Sequence, residues 1–129
     1  MIDSLTYSEA EGMVRVTLSG DLDVEDFREA MGEVVRIRAT VGPTHSVWDV
    51  TALDFTGIDI GILRSLSQAR ASFAPRGRGE RVAIVVPGTI EQSIMKLFLD
   101  LSEEIENQQR VFTNRADAER WCLTGAEPA

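Results

Sequence analysis

"RVAIVVPGTIEQSIMKLFLDLSEEI", residues 81–105, is the stretch that decides the fold. Its first six residues form a near-continuous β-branched run, which fits a central strand covered on both faces. Pro87–Gly88 ends that strand. The residues after Gly88 read as a helix with Thr89 as its cap, and "QRVFT", residues 109–113, reads as another strand. Strand, helix and strand in that order make a crossover unit, which is right-handed and places its strands parallel in one sheet.

The same alternation continues outward. "HSVWDV", residues 45–50, is a short strand, and a second helix is expected over 57–73. There Ile58, Ile62, Leu66, Ala69 and Phe73 step by three or four and share a face. A first helix over 21–40 can be capped by Asp21 or Asp23, with Glu25 and Asp26 in the turn where the helix dipole favours anions. Val24, Phe27, Met31, Val34 and Val35 form its core face. Residues 2–7 and 13–19 are two strands joined by "SEAEG", with Gly12 available for a positive φ and Gly20 ending the second. Asn114, followed three residues on by Asp117, caps a final helix that ends near Leu123. The order β-β-α-β-α-β-α-β-α predicts an α/β domain with a mixed five-stranded sheet and four helices. That domain spans residues 1–124, and residues 125–129 read as a flexible C-terminal tail.

At 129 residues the chain can bury one core. A net charge of −8 and a pI near 4.6 argue against nucleic acid and against attachment to an anionic membrane surface. No segment reaches the about 18 apolar residues that a membrane helix needs. The N-terminus lacks the basic and apolar regions of a signal peptide, so the expected location is the cytoplasm. Cys122 and His45 are the only residues of their types. That excludes an intrachain disulfide, a thiolate zinc cluster and a multi-histidine metal site, so neither metal nor cofactor is expected. It also removes the commonest catalytic base from most of the chain.

The element order, the "GDLDVEDF" entry into the first helix, the strand-end "WDV" and the closing "VFTNRADAERW" together resemble the SpoIIAA-like, STAS-type proteins, a group that borders on Sec14-type lipid-binding domains. The resemblance covers roughly residues 2–123 and rests on core residues and caps. It implies a bacterial regulatory or interaction module. In the anti-sigma factor antagonists of that group, a strand-end Asp precedes a Phe-x-Asp-Ser-Ser-Gly-Leu stretch whose first Ser is phosphorylated by a partner kinase. Here "DVTALDFTGIDIG", residues 49–61, occupies that place. Matched from Phe55 without a gap, Ile58 stands at the phosphorylated Ser. With one deletion Asp59 meets the Asp, Gly61 meets the Gly, and the serines vanish. The acceptor serine is missing either way.

Thr56 is the nearest hydroxyl, and therefore the candidate phospho-acceptor. The competing structural reading makes Thr56-x-x-Asp59 a capping box. Asp49 can act as a base or organise its loop, and Asp54 reads as an Asx-turn residue. Arg76, Arg78 and Arg81 form the one basic patch, a solvated loop or an anion site. Cys122 reads as a small core residue and His45 as a loop–strand junction. On the third helix Ile90, Ile94, Leu97 and Leu101 are expected to face inward, leaving Met95 and Leu99 outside among Glu91, Gln92, Lys96 and Glu103. Ile60 and Ala71 lie off-face on the second helix. Asp49, Asp54, Thr56, Asp59, Ile60, Met95 and Leu99 thus form the expected partner or ligand surface. The expected function is a non-enzymatic interaction module, with a protein partner or a second copy docking on it. The alternative is a small domain for an apolar or lipid-like ligand, for which an enclosed pocket between sheet and helix is the distinguishing feature. A carboxylate-based enzyme, which needs Asp49, Asp54 and Asp59 to converge, ranks last.

Overall fold

The computed structural model describes residues 1–72, 79–101 and 108–126. β1 (Ile2–Ser8) and β2 (Met13–Asp21) form an antiparallel hairpin whose turn uses Gly12 at φ +62°. α1 (Val24–Val41), β3 (His45–Asp54), α2 (Ile60–Ser72), β4 (Arg81–Val85), α3 (Thr89–Asp100), β5 (Gln108–Phe112) and α4 (Arg115–Thr124) come next along the chain. The five strands lie in the order β1-β2-β3-β4-β5, with every pair after the hairpin parallel. The mixed sheet and its four helices match the predicted order.

Strand order that always advances in one direction fixes where the helices go. Right-handed crossovers that step the same way each time deliver their helices to the same face. α1, α2 and α3 accordingly pack against Val14, Val16, Trp48, Val50 and Ile84, while α4 packs the opposite face against Met13, Val47, Ala83, Val85 and Phe112. β4 is covered on both sides, as its β-branched run predicts. Such an order also contains no reversal of strand sequence, so the sheet lacks the crevice where open α/β sheets usually bind ligands.

Several boundaries differ from the sequence expectation. β3 does not end at Val50. Its pairing with β2 shifts between Asp49 and Ala52 and then runs on to Asp54, with Gly20 at φ +77° inside β2 rather than beyond its end. This extension absorbs residues read as loop and delays α2 to Ile60. The Thr56–Asp59 capping box does not form. Asp59 alone caps α2, its carboxylate accepting from Ile62 N–H at 2.9 Å. The Thr56 hydroxyl and N–H both donate to Asp54, which is the Asx turn expected of that residue. In α1 the cap is Asp23, accepting from Glu25 N–H at 2.8 Å. Gly88 precedes α3 with no side-chain cap, so Thr89 is its first residue. Asn114 caps α4 by accepting from Asp117 N–H at 3.1 Å.

The face of α3 is rotated from the predicted one. Phe98 is buried, with Ile94, Met95 and Leu99 packed against the core, whereas Ile90, Leu97 and Leu101 face solvent. Phe98 decides the orientation: its ring meets Phe27 of α1 edge-on at 6.1 Å, and Phe27 in turn lies 5.7 Å from Trp48 of β3. Met95 and Leu99 are therefore inner residues and not an outer patch. Phe73, Arg76, Arg78, Glu103, the expected end of the third helix and residues 127–129 of the expected tail lie outside the described residues.

Candidate functional site

The three carboxylates of residues 49–59, Asp49, Asp54 and Asp59, do not work as a unit. Asp49 leaves β3 toward the α4 side, where it accepts from Arg115 Nη1 at 2.9 Å and from the Thr51 N–H and hydroxyl at 3.0 and 2.7 Å. Burial raises its pKa, but these hydrogen bonds and the Arg115 charge outweigh that and hold it below the ordinary carboxylate value. A carboxylate so stabilised is a poor base at neutral pH. Asp54 is lowered by the Thr56 hydroxyl and N–H. Asp59 is occupied as the α2 cap. Thr56 is exposed, with its hydroxyl directed at Asp54. Ile60 is exposed at the start of α2, away from Met95 and Leu99, which point to the core. Among the described residues no group of three His, Cys, Asp or Glu side chains could hold a metal ion.

Arg81 is not a free cation either. Its guanidinium donates twice to the Cys122 carbonyl, at 3.1 and 2.9 Å, and so ties β4 to the end of α4. Its N–H donates to His45 Nδ1 at 2.9 Å. Cys122 is fully buried, and burial pushes its thiol up to about 12, which makes it an inert core residue.

The notable space lies on the other side of the sheet. A cavity of about 90 Å³ sits between the strands and the α1–α2–α3 layer. Leu18, Trp48 and Val50 line it from the sheet, Phe27 and Leu66 from α1 and α2, and Phe98 from α3. Phe55 and Ile58, from the loop before α2, line it as well. These apolar walls follow from the sequence: each strand sends alternate residues to this face, and each helix turns its apolar stripe inward.

Into this lining the chain places three charged side chains. Arg38, in the last turn of α1, meets Glu80, just before β4, in a two-pronged pair: Nε donates to Oε2 at 2.6 Å and Nη2 donates to Oε1. Thr44 N–H donates to the same Oε2 at 2.7 Å. Glu80 is only 4% exposed, so these bonds consume its carboxylate within the protein. The third charge, Arg70 of α2, is 5% exposed, and its guanidinium carbon stands 5.5 Å from the centre of the Phe98 ring. Burial pushes its pKa down to about 10, which still leaves it charged at neutral pH.

None of Arg38, Thr44, Arg70 and Glu80 was among the candidates read from sequence. Arg70 was the legible one. It comes seven residues after Leu63 and four after Leu66, so it falls on the buried stripe of α2, where a charged residue is out of place. The Arg38–Glu80 pair spans 42 residues and has no local signature.

No protein-family model matches the sequence, and no curated protein matches it. Among solved structures, the chain is similar to a protein of the DUF3478 family from Shewanella loihica PV-4, described as uncharacterised and as having a SpoIIAA-like fold. The two share 17% identity with a TM-score of 0.64, over 95% of this chain and 92% of that one. This chain therefore has a SpoIIAA-like fold. Among the described residues no helix is long and apolar enough to cross a membrane.

Proposed function

We propose that this chain is a non-catalytic binding module whose partly open pocket between sheet and helices takes a small apolar ligand. The observation that carries the reading is the cavity itself, an apolar space of about 90 Å³ between the sheet and three helices. Well-packed interiors contain few voids larger than a water molecule. A space of this size has room for several waters, or for a ligand of a handful of heavy atoms. Binding without chemistry is consistent with Asp49, Asp54 and Asp59, each of which is committed to a separate partner within the protein. The test is an NMR titration of the whole chain with 1-butanol. Shifts concentrated at Trp48, Val50, Leu66 and Phe98 support the reading, and shifts scattered over the surface, or none, refute it.

A second reading, docking of a protein partner or a second copy, is favoured by the outer stripe of α3. Ile90 is 74% exposed and Leu97 43%, and with Leu101 they recur at spacings of seven and four, on one side of the helix. Leu97→Glu should leave folding intact and abolish any self-association seen by sedimentation. Association that survives the change would remove this surface from consideration.

A further inference from the structure

Among the described residues, two buried side-chain polar atoms lack a hydrogen-bond partner: Arg70 Nη1 and Thr44 Oγ1. Both residues line the same cavity. A buried donor left unpaired is costly, and a buried charge left unpaired is more so, so two unpaired groups on residues that line one cavity point to something that completes them.

The charge count around the cavity says what that something is. Arg38 and Glu80 cancel, and the Glu80 oxygens are already taken by Arg38 and the Thr44 N–H. Arg70 remains as one positive charge, set against the ring of Phe98. A guanidinium matches a planar group with two acceptor oxygens, which it can bind through two parallel hydrogen bonds. A carboxylate has that shape and a single negative charge. A phosphate would bring about −1.5 to −2 charges against a surplus of one, and its wholly polar surface would meet walls of Leu, Val, Trp and Phe. The Thr44 hydroxyl is a second unpaired group in the same lining, while the remaining lining suits a short hydrocarbon tail.

Resting on the cavity reading above, we infer that the site is built for a small monocarboxylate with an apolar tail, anchored by Arg70 with Thr44 as second donor. Arg70 and Thr44 set the polar end of the ligand, and Trp48, Val50 and Leu66 receive the tail.

The experiment compares butyrate, 1-butanol and butylammonium, titrated into the whole chain and followed by NMR. The three share one alkyl length and differ in head group. Butyrate is expected to bind about tenfold or more tightly than 1-butanol, the range for a hydrogen bond made to a charged group. Butylammonium, repelled by Arg70, is expected to bind weakest. Arg70→Met should level butyrate with 1-butanol while leaving 1-butanol unchanged. Equal binding of butyrate and 1-butanol by the unaltered protein would overturn the inference and identify the two orphans as water-binding groups. A butyrate preference that survives in Arg70→Met would overturn it as well. If that variant does not fold, the order of the three probes on the unaltered protein decides alone. Binding of 1-butanol without preference for butyrate refutes the anchor and spares the cavity reading. Failure of all three to reach the cavity residues refutes both.

Discussion

Replacing Glu80 by Ala should be among the most damaging single changes in the protein. The side chain is 4% exposed and accepts from Arg38 Nε at 2.6 Å, from Arg38 Nη2, and from Thr44 N–H at 2.7 Å. Its removal strands a largely buried guanidinium and a buried N–H in a space that already holds Arg70. Breaking a buried ion pair from one side costs about 3–5 kcal/mol, because the surviving charge has nowhere to go. Against a total stability of ~5–15 kcal/mol that is a large fraction. For a domain of this size it corresponds to a fall in Tm on the order of 10–20 °C. Urea unfolding followed by circular dichroism gives the free energy, with the m-value as a check that the transition keeps its cooperativity. The same physics requires partial rescue. In Arg38→Met/Glu80→Leu the stranded charge is gone and only the Thr44 N–H stays unpaired, a cost of about 1–3 kcal/mol. The double variant should thus be more stable than Glu80→Ala. A loss below ~1 kcal/mol in the single variant, or a double variant less stable than the single, would refute the reasoning.

Asp59→Ala should cost ~1 kcal/mol as the loss of the α2 cap, measured by urea unfolding, while Thr56→Ala, at an exposed hydroxyl bonded only to Asp54, should stay within about 0.5 kcal/mol. The opposite ranking would restore Thr56 as the cap. His45 is held below its ordinary value of 6.5 by burial and by the adjacent Arg81 charge, against a smaller opposing effect of Glu80. The unfolded chain therefore takes up that proton first, so stability should be constant above pH 6.5 and decline as pH falls below it. Melting temperatures between pH 7.5 and 5 should show this slope, and His45→Gln should flatten it. The carboxylates with lowered values, Asp49 and Asp54 among them, lose their contribution only at more acidic pH. Cys122, buried and raised to about 12, should resist alkylation by iodoacetamide in the native protein and react fully once unfolded. Rapid native labelling would contradict its place in the core.

The sequence readings that held share a cause. β4 was legible because both its faces are buried, so its β-branched run had no competing interpretation. Asn114 was legible as a cap, and the α1 cap was narrowed to Asp21 or Asp23, because capping is a local event, settled within three residues. The misreadings arose where two patterns of equal local quality competed. α3 carries Ile90, Ile94, Met95, Leu97, Phe98 and Leu99, so helical spacing alone allows more than one inner face. The aromatic contact of Phe98 with Phe27, from a helix far away in sequence, chose among them. Thr56-x-x-Asp59 has the spacing of a capping box, but β3 runs on past its pairing irregularity, and Asp54 captures Thr56 before the helix starts. The candidate site was hidden for a related reason. Its polar groups come from α1, α2 and the residues before β3 and β4, and the monotonic strand order that brings them to one face is a property of the whole sheet.

The cavity is most directly tested by a crystal of the protein pressurised with xenon, a probe that enters apolar voids without needing a hydrogen bond. Xenon density between the sheet and the helical layer, in contact with Trp48, Leu66 and Phe98, is the expected result. Density confined to the surface, with the space among those side chains closed, would contradict the binding role proposed for this fold.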